Sequence, residues 1–337
     1  MTFQAAEAGG VGQPPTNHFL SHVRDWTLLV ICNLIWASQF VLAKLVQQDM
    51  GPVTATFLPM ALATLLLIPI VRYRRRRSGA ATPAPRGDVL RFALIGVVGQ
   101  VVAQLGVTWG VRFAPASNAA LLSLTLPIAT AIMAYLILGE QMTKVRWLSF
   151  ALAVAGVLQC SGVEWDTLSF SSSAILAGNL LILAGVLGSA FYNVYSKKLL
   201  KRYEPLEVLL YSYYAVLVCL LPINLYTEPE SLQHIHAFGP MVWLGLLLLA
   251  TLQYFLSMVL FLTVLTRLDA VQAGMSNYLI PVFGVFIAAA ALGERLTPRM
   301  VAGGVVVLAS TLLITAYEEH RASRAATRVV ATPGERQ

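Results

Sequence analysis

The stretch "LTLPIATAIMAYLILGEQMT" (residues 124–143) has a proline early in an apolar run and ends with a Gly-Glu pair and a threonine. A second stretch, "YLIPVFGVFIAAAALGERLT" (residues 278–297), repeats this arrangement 154 residues later. A proline inside a helix removes a backbone donor and displaces the carbonyl four residues earlier. Its recurrence with the same neighbours indicates an internal repeat with these matched pairs: Pro127 and Pro281, Gly139 and Gly293, Glu140 and Glu294, Thr143 and Thr297.

The composition indicates a membrane protein. Of the 337 residues, 57% are hydrophobic and 12% are charged, whereas a soluble domain has about 25% charged residues. The formal charge of +7 lies in short runs between apolar segments, such as "RYRRRR" (residues 72–77). That pattern is typical of cytoplasmic loops and does not favour nucleic acid as a partner. The three cysteines lie in apolar segments, so no disulfide, metal site or cofactor is predicted.

The predicted fold is an all-α integral membrane protein. A helix needs about 20 mainly apolar residues to cross the hydrocarbon, and isolated strands would leave backbone groups unpaired in lipid. Ten transmembrane helices are predicted, at residues 26–46, 53–71, 90–111, 116–138, 145–162, 174–196, 207–226, 241–265, 270–292 and 299–317. The polar ends, residues 1–25 and 318–337, are predicted to be disordered tails.

The distribution of basic residues predicts the orientation. If the N-terminus is cytoplasmic, 19 of the 23 Lys and Arg residues lie on the cytoplasmic side. This bias predicts a multi-pass protein of the cell inner membrane with both termini in the cytoplasm.

The repeat divides the membrane region into two halves, residues 26–162 and 174–317, with five spans each. An odd number of spans forces the second half to enter the membrane in the opposite direction. Two inverted five-helix repeats are a common plan of secondary transporters. A duplicated helical bundle without a transport role is the alternative.

The two "P…LGE…T" segments that end the fourth and ninth spans resemble the EamA branch of the drug/metabolite transporter superfamily. "WASQFVLAK" (residues 36–44) and "SAFYNVYSK" (residues 189–197) are also similar to that family, although Ser189 stands where the family often has tryptophan. The resemblance implies a secondary transporter that exports small organic metabolites such as amino acids by alternating access. Export of drugs or purines by the same fold is the alternative.

Polar residues within the spans predict a central cavity. Pro127 frees the carbonyl of Ser123 and Pro281 frees that of Asn277, and a freed carbonyl must face protein or water. Intramembrane amides face a cavity, a ligand or another helix, so simple interhelical contacts remain an alternative for each residue. The predicted solute-binding residues are Trp36, Gln39, Gln100, Gln104, Ser123, Tyr192, Asn193, Gln253, Tyr254, Ser276 and Asn277.

Charged residues near the span ends are candidates for a gate or mouth. Lys44 and Lys197 occupy matching positions in the two halves, where a lysine can also extend to water. Glu140 and Glu294 precede Thr143 and Thr297, which are predicted to cap the following helices. The alternative to a gate is therefore that each glutamate complements the dipole of the helix after it.

No Asp or Glu lies in the middle of a span, although transporters commonly use such carboxylates to carry protons. We therefore expect facilitated diffusion or exchange, or coupling at a cavity mouth. A catalytic site is not predicted, since the spans hold neither histidine nor carboxylate. A receptor or assembly protein that does not transport is an alternative. The predicted partners are a small organic solute and the lipid bilayer, and a homodimer is left open.

Overall fold

A computed structural model describes residues 16–77, 86–113, 122–160, 173–292 and 298–330, and this part of the chain is helical with no strand. We number the main helices α1 to α10 and treat α3, α8 and α9 as helices of three consecutive segments. Two short turns, Pro229–Gln233 and Ile235–Ala237, join α7 to α8. The helices are α1 (Thr16–Val46), α2 (Pro52–Arg77), α3 (Arg86–Leu94, Ile95–Val101, Val102–Phe113), α4 (Leu126–Leu138), α5 (Lys144–Cys160), α6 (Ser173–Leu199), α7 (Pro205–Thr227), α8 (Pro240–Leu248, Leu249–Ser257, Met258–Leu265), α9 (Ala270–Met275, Ser276–Tyr278, Leu279–Leu292) and α10 (Pro298–Val330).

Within the described ranges, five helices are long and apolar enough to cross a membrane by length and composition. Two shorter apolar helices, Leu126–Leu138 and Val301–Ile314, lie in α4 and α10. The five long ones are Pro52–Arg77, Gly87–Gly110, Ser173–Leu199, Pro205–Thr227 and Pro240–Leu265.

The two end helices are longer than the predicted spans. Helix α1 begins at Thr16 and α10 runs to Val330, so parts of both segments predicted to be disordered are helical. The alanines, arginines and glutamates after residue 317 favour helix, which explains why α10 continues beyond its apolar part.

The helix contacts form two matching sets. Helix α1 packs against α8 and α9, and α6 packs against α3 and α4. Helices α2 and α7 pack against each other, as do α5 and α10. The repeat relates α3 to α8 and α4 to α9 at an interval of 154 residues and α1 to α6 at 153, so each contact in one set has a counterpart in the other.

Irregular backbone recurs at the same interval. Helix α3 contains a π-helical segment at Ile95–Val101, and α8 contains one at Leu249–Ser257. A tight turn closed by the N–H of Thr125 on the carbonyl of Leu122 (3.0 Å) precedes α4, and the 3₁₀ segment Ser276–Tyr278 interrupts α9. Although π-helical segments are rare in proteins, those that occur are often at functional sites. The matched pair therefore makes the middle of each half a candidate functional region.

The repeated prolines follow these turns and start new helical segments. Pro127 lies in the first turn of α4, and Pro281 is the third residue of Leu279–Leu292. A proline in the first turn costs no helical hydrogen bond, because that N–H has no partner within the helix. The structure therefore corrects the predicted kinks within continuous helices: both helices break and restart.

One end of the bundle carries a dense set of ion pairs, and we call it the basic end. The carboxylate of Asp25 accepts a bond from Arg267 (2.6 Å). Asp88 accepts bonds from Tyr203 (2.8 Å) and Arg202 (3.3 Å). Burial, and then the hydrogen bond to Asp88, raises the pKa of Tyr203 to about 12. These contacts hold α1 at Asp25, the start of α3, the connection between α6 and α7, and the connection between α8 and α9 at one end.

The opposite end is held by Glu228. Its carboxylate accepts bonds from the backbone N–H groups of Val53 (3.0 Å) and Thr54 (2.9 Å) and from the Thr54 hydroxyl (2.9 Å). An acidic group there satisfies free donors at the start of α2 and complements its dipole. The end of α7 is thereby fixed to the start of α2, so these two helices are antiparallel.

Glycines allow α3 and α6 to approach closely. A Cβ atom on Gly106 would lie 2.6 Å from the carbonyl oxygen of Leu181 and 2.8 Å from the backbone nitrogen of Gly185. Membrane helices gain stability from such close backbone packing because lipid tails are as apolar as leucine. This contact brings the polar residues of α3 and α6 together.

Candidate functional site

A line of polar contacts joins α1 to α8 at the π-helical segment. The indole N–H of Trp36 donates to the hydroxyl of Ser257 (2.9 Å). The amide of Gln253 donates to the side-chain oxygen of Gln39 (2.7 Å). Ser257 is fully buried and in turn donates to the carbonyl of Gln253. Three predicted residues, Trp36, Gln39 and Gln253, are thus brought together.

Two further residues of α1 extend this line. The amide of Asn33 donates to the hydroxyl of Ser276 in α9 (2.9 Å), and the thiol of Cys32 donates to the carbonyl of Ser257 (3.3 Å). Asn33, Cys32 and Ser257 were not among the predicted site residues. Asn33 lies three residues before Trp36 and six before Gln39, so helical spacing could have identified it.

A matching polar group joins α3, α6 and α7. The phenol of Tyr192 lies beside Gln100, Ser196 and Ser212. Gln100, in the other π-helical segment, is buried with 6% of its surface exposed. Gln39 and Tyr192 correspond in the repeat, and Gln100 corresponds to Tyr254, next to Gln253. Gln253 itself corresponds to Gly99, and a Cβ atom on Gly99 would lie 2.9 Å from that of Tyr192. The helix contact of α1 with α8 therefore has a counterpart between α6 and α3, whereas the side-chain bond between Gln39 and Gln253 does not.

Tyr254 lies at a different interface from its neighbour Gln253. Its carbonyl accepts a bond from the Tyr213 hydroxyl of α7 (2.7 Å), and its phenol lies near Thr56 of α2. The prediction grouped it with Gln253, but successive residues of a helix point in different directions.

The remaining predicted residues differ in exposure. Asn193, Ser276 and Asn277 are buried, Gln104 is half-buried and Ser123 is exposed. The two repeat partners Ser123 and Asn277 thus have different surroundings, and a cavity shared by them stays a prediction. A cleft of about 250 Å³ lies instead at the basic end and includes no predicted solute-binding residue; it is lined by Val71, Arg74, Arg75, Arg202, Glu204, Leu206 and Glu207.

Glu140 is the centre of a charged cluster at the basic end. Its carboxylate accepts bonds from the backbone N–H groups of Ala270 (2.9 Å) and Val271 (3.0 Å) at the start of α9. It also pairs with the ammonium of Lys197 (3.1 Å), which donates to the carbonyl of Leu268 (2.7 Å). The end of α4 is thereby attached to the starting end of α9 and to α6.

Arg146 and Asp269 complete this cluster. Arg146 is 1% exposed at the start of α5, and its guanidinium pairs with Asp269 (2.9 Å) and donates to the carbonyl of Gln141 (2.6 Å). Burial by itself raises the pKa of Asp269. The hydrogen bond from Arg146 and the charges of Lys197 and Arg146 lower the pKa by more than burial raises it. The net effect is a pKa below the usual value. We call Glu140, Arg146, Lys197 and Asp269 the basic-end cluster.

The structure corrects the expected role of Glu140. Thr143 accepts a bond from the N–H of Arg146 (3.2 Å) and caps α5 as predicted. Gly139 ends α4 in the left-handed conformation (φ 73°). Glu140, however, serves the start of α9 and not that of α5, because the chain turn at Gly139 directs it across the bundle. Gly293, Glu294, Thr297 and the side chain of Lys44 lie outside the described residues.

Within the described ranges, no group of three His, Cys, Asp or Glu side chains is placed to hold a metal ion. The candidate site consists of neutral polar contacts within the bundle and charged contacts at its basic end.

Comparison with known proteins identifies the family. The profile of the EamA-like transporter family matches residues 26–161 and 176–316. A "probable terminal-alkyne amino-acid exporter" of Streptantibioticus cattleyicolor is 28% identical over 91% of this chain and 97% of that protein. A "probable amino-acid metabolite efflux pump" of Salmonella typhimurium is 23% identical over 85% of this chain and 93% of that protein.

A solved crystal structure has the same fold, with a TM-score of 0.73 and 16% identity over 88% of this chain and 97% of that one. Both family matches together cover most of the chain, one for each half of the repeat. The protein belongs to the EamA-like transporter family and is a multi-pass membrane protein.

Proposed function

We propose that this protein is a secondary transporter, and not an enzyme, that exports small organic solutes such as amino acids by alternating access. The observation that carries the proposal is the pair of π-helical segments, 154 residues apart, each of which holds a buried glutamine, Gln100 or Gln253, and packs against the matching helix α6 or α1. Two similar halves that can exchange conformations are what alternating access requires. The names of the two relatives support amino acids or their metabolites as the solute class.

The proposed topology has ten transmembrane helices in two inverted five-helix repeats. The contact between Glu140 and the start of α9 supports it, because α4 ends where its repeat partner α9 begins. The basic end is then the cytoplasmic side of the inner membrane, and both termini are cytoplasmic. A homodimer stays an open alternative to a monomer.

We assign the solute site to the predicted polar residues between the helix breaks, with Asn33 and Ser257 added. The basic-end cluster is the cytoplasmic gate, formed by Glu140 and Lys197 with Arg146 and Asp269. For Lys44 and Glu294, a role at the mouth of the opposite end stays a prediction from the repeat. Since the described spans have no carboxylate at their centre, the proposed mode of transport is facilitated diffusion or exchange.

Counterflow into proteoliposomes tests the proposal. Vesicles loaded with one unlabelled amino acid, purine or cationic drug are diluted into the same labelled compound. We expect transient accumulation of amino acids with the wild-type protein. The variant Gln253→Leu should reduce the initial rate about tenfold because it removes a polar contact at the π-helical segment. Gln233→Leu, at an exposed position in the loop before α8, is the matched control and should retain the wild-type rate.

Accumulation of purines or drugs in place of amino acids would identify the alternative exporters. Absence of counterflow for every compound would contradict a transport function.

A further inference from the structure

Three buried oxygen atoms around the break in α9 have no hydrogen-bond partner among the described residues: Asn33 Oδ1, Thr130 Oγ1 and Asn277 Oδ1. Asn33 and Thr130 are fully buried, and Asn277 is 6% exposed. A buried polar atom without a partner is destabilising by about 1–3 kcal/mol, so most such atoms in proteins are satisfied. Other atoms of this kind occur in the described interior, but these three belong to residues that form or contact residues 274–277 of α9.

The meeting place is the 3₁₀ segment Ser276–Tyr278. Asn33 of α1 reaches it through its bond to Ser276 (2.9 Å). Thr130 of α4 packs against Gly274, where a Cβ atom would lie 2.9 Å from the Thr130 methyl carbon. Asn277 lies within the segment, three residues after Gly274 and on the same side of the helix. Helices α1, α4 and α9 thus each bring a residue with an unpaired oxygen to residues 274–277, and the Thr130 oxygen would lie 3.6 Å from a Cβ atom on Gly274.

The neighbouring bonds fix which atom of Asn33 is free. Its amide nitrogen donates to the carbonyl of Leu29 (2.7 Å), which can only accept. The Ser276 hydroxyl donates its hydrogen to the carbonyl of Ala273 (2.7 Å), so it too must accept from Asn33. Exchanging the two ends of the Asn33 amide would lose both bonds. Oδ1 is therefore the atom without a partner.

Amide oxygens can only accept hydrogen bonds, and a hydroxyl oxygen accepts as well. A carboxylate or phosphate placed there would face further lone pairs, whereas a primary ammonium group has three N–H donors. Neutral oxygens would hold this cation without a buried ion pair, which allows its release. We propose that the break in α9 is the subsite for the primary ammonium group of the transported solute. This proposal rests on the transport function proposed above and specifies its solute class.

Binding to the purified full-length protein, measured by calorimetry, tests the subsite with matched probes. Phenylalanine and norleucine carry the ammonium group, and 3-phenylpropionate and hexanoate lack it. We expect Thr130→Val to weaken binding of the ammonium probes about tenfold and to leave binding of the other two unchanged. Because the Thr130 hydroxyl has no described partner, the Thr130→Val variant should have a melting temperature equal to or above that of the wild type.

Thr64→Val is the matched control. Thr64 is a buried threonine of α2 whose hydroxyl donates to the carbonyl of Met60 (2.7 Å), and its replacement should change binding of neither probe class. Thr130→Ser keeps the hydroxyl and should retain the wild-type affinity, which also covers the case in which Thr130→Val does not fold.

The subsite is overturned if Thr130→Val weakens both probe classes equally, or lowers the melting temperature without changing affinity, as loss of a structural water would. It is also overturned if binding follows the Na⁺ concentration and not the ammonium group. Counterflow of a solute that has no ammonium group would leave the transport function in place while excluding this subsite. Absence of all counterflow would contradict the transport function itself.

Discussion

At the scale of single residues, Glu140 joins two roles that sequence analysis offered as alternatives. It satisfies two backbone donors at the start of α9, and it pairs with Lys197. A glutamate that holds a helix end and a charge partner at once connects helix capping to the gate that we propose at the basic end. Asp269 also pairs with Lys197 (3.4 Å), so the four side chains form one connected set of ion pairs.

A double-mutant cycle with Glu140→Gln and Lys197→Met should give a coupling free energy of about 1–3 kcal/mol in thermal or denaturant unfolding, because both side chains are largely buried. The control pair is Arg74 and Glu204, which lie 3.8 Å apart with side chains 63% and 58% exposed. Exposed pairs contribute about 0–1 kcal/mol. Equal coupling in both pairs would contradict the special role of Glu140.

The lowered pKa of Asp269 predicts how stability depends on pH. A carboxyl with a lowered pKa in the folded state stabilises the protein above its unfolded pKa of about 3.9, and this contribution is lost as the pH falls through the folded value. The wild type should therefore be more stable than Asp269→Asn at pH 6, and the difference should shrink below about pH 4. Melting temperatures of both proteins from pH 3 to 7 measure this. A difference that grows on acidification would contradict the assigned ion pairs.

At the scale of elements, the α3–α6 contact depends on small residues, and the two π-helical segments set the direction of the polar side chains. Helix α3 places Gln100 beside Tyr192 only because Gly99 allows α6 to approach: a Cβ there would lie 2.9 Å from that of Tyr192. Close packing and the polar contact are thus properties of the same interface.

Gly106→Val should destabilise the protein by about 1–3 kcal/mol, because the new side chain would meet the backbone of α6. Gly87→Ala is the control in the same helix, since a Cβ there meets no atom within 4 Å; it should be neutral or slightly stabilising. Thermal unfolding in one detergent compares the two variants. A neutral Gly106→Val would mean that α3 and α6 are packed less closely than described.

At the scale of the whole molecule, the repeat is not symmetric in its charges. Arg146 and Asp269 of the basic-end cluster correspond to Met300 and Pro115 in the other half. Only the glutamate and lysine positions carry the same residues in both halves. The other half thus carries no charge at the two positions that match Arg146 and Asp269, and these added ion pairs favour a conformation closed at the basic end.

Weakening the cluster should therefore open the basic end. Ser196→Cys, a buried position one residue before Lys197, provides the probe in a background without the three native cysteines. Adding Glu140→Gln should increase the labelling rate by a thiol reagent about tenfold, the effect of about 1.4 kcal/mol on a two-state equilibrium. Adding Arg74→Gln, an exposed basic-end residue outside the cluster, should not change the rate. An unchanged rate with Glu140→Gln would exclude the cluster as a gate.

The proposed orientation is tested with single cysteines at positions 80 and 233 in the same background. A membrane-impermeant reagent should label Gln233→Cys in intact cells and Ala80→Cys only after permeabilisation. The reverse pattern would invert the proposed topology.

The sequence by itself determined that the protein lies in a membrane, that it is helical, which family it belongs to and that it contains a 154-residue repeat. Composition, the length of apolar runs and motif spacing are local properties of the chain, so they can be read without the structure. The sequence also predicted roles for Glu140, Lys197 and the glutamines in a gate or a solute site. Only the tertiary structure decided that Glu140 serves α9, that the prolines restart helices, and that Asn33, Thr130 and Asn277 lie near one break. These facts depend on which helices are neighbours, and contacts between residues more than a hundred positions apart leave no local pattern in a single chain.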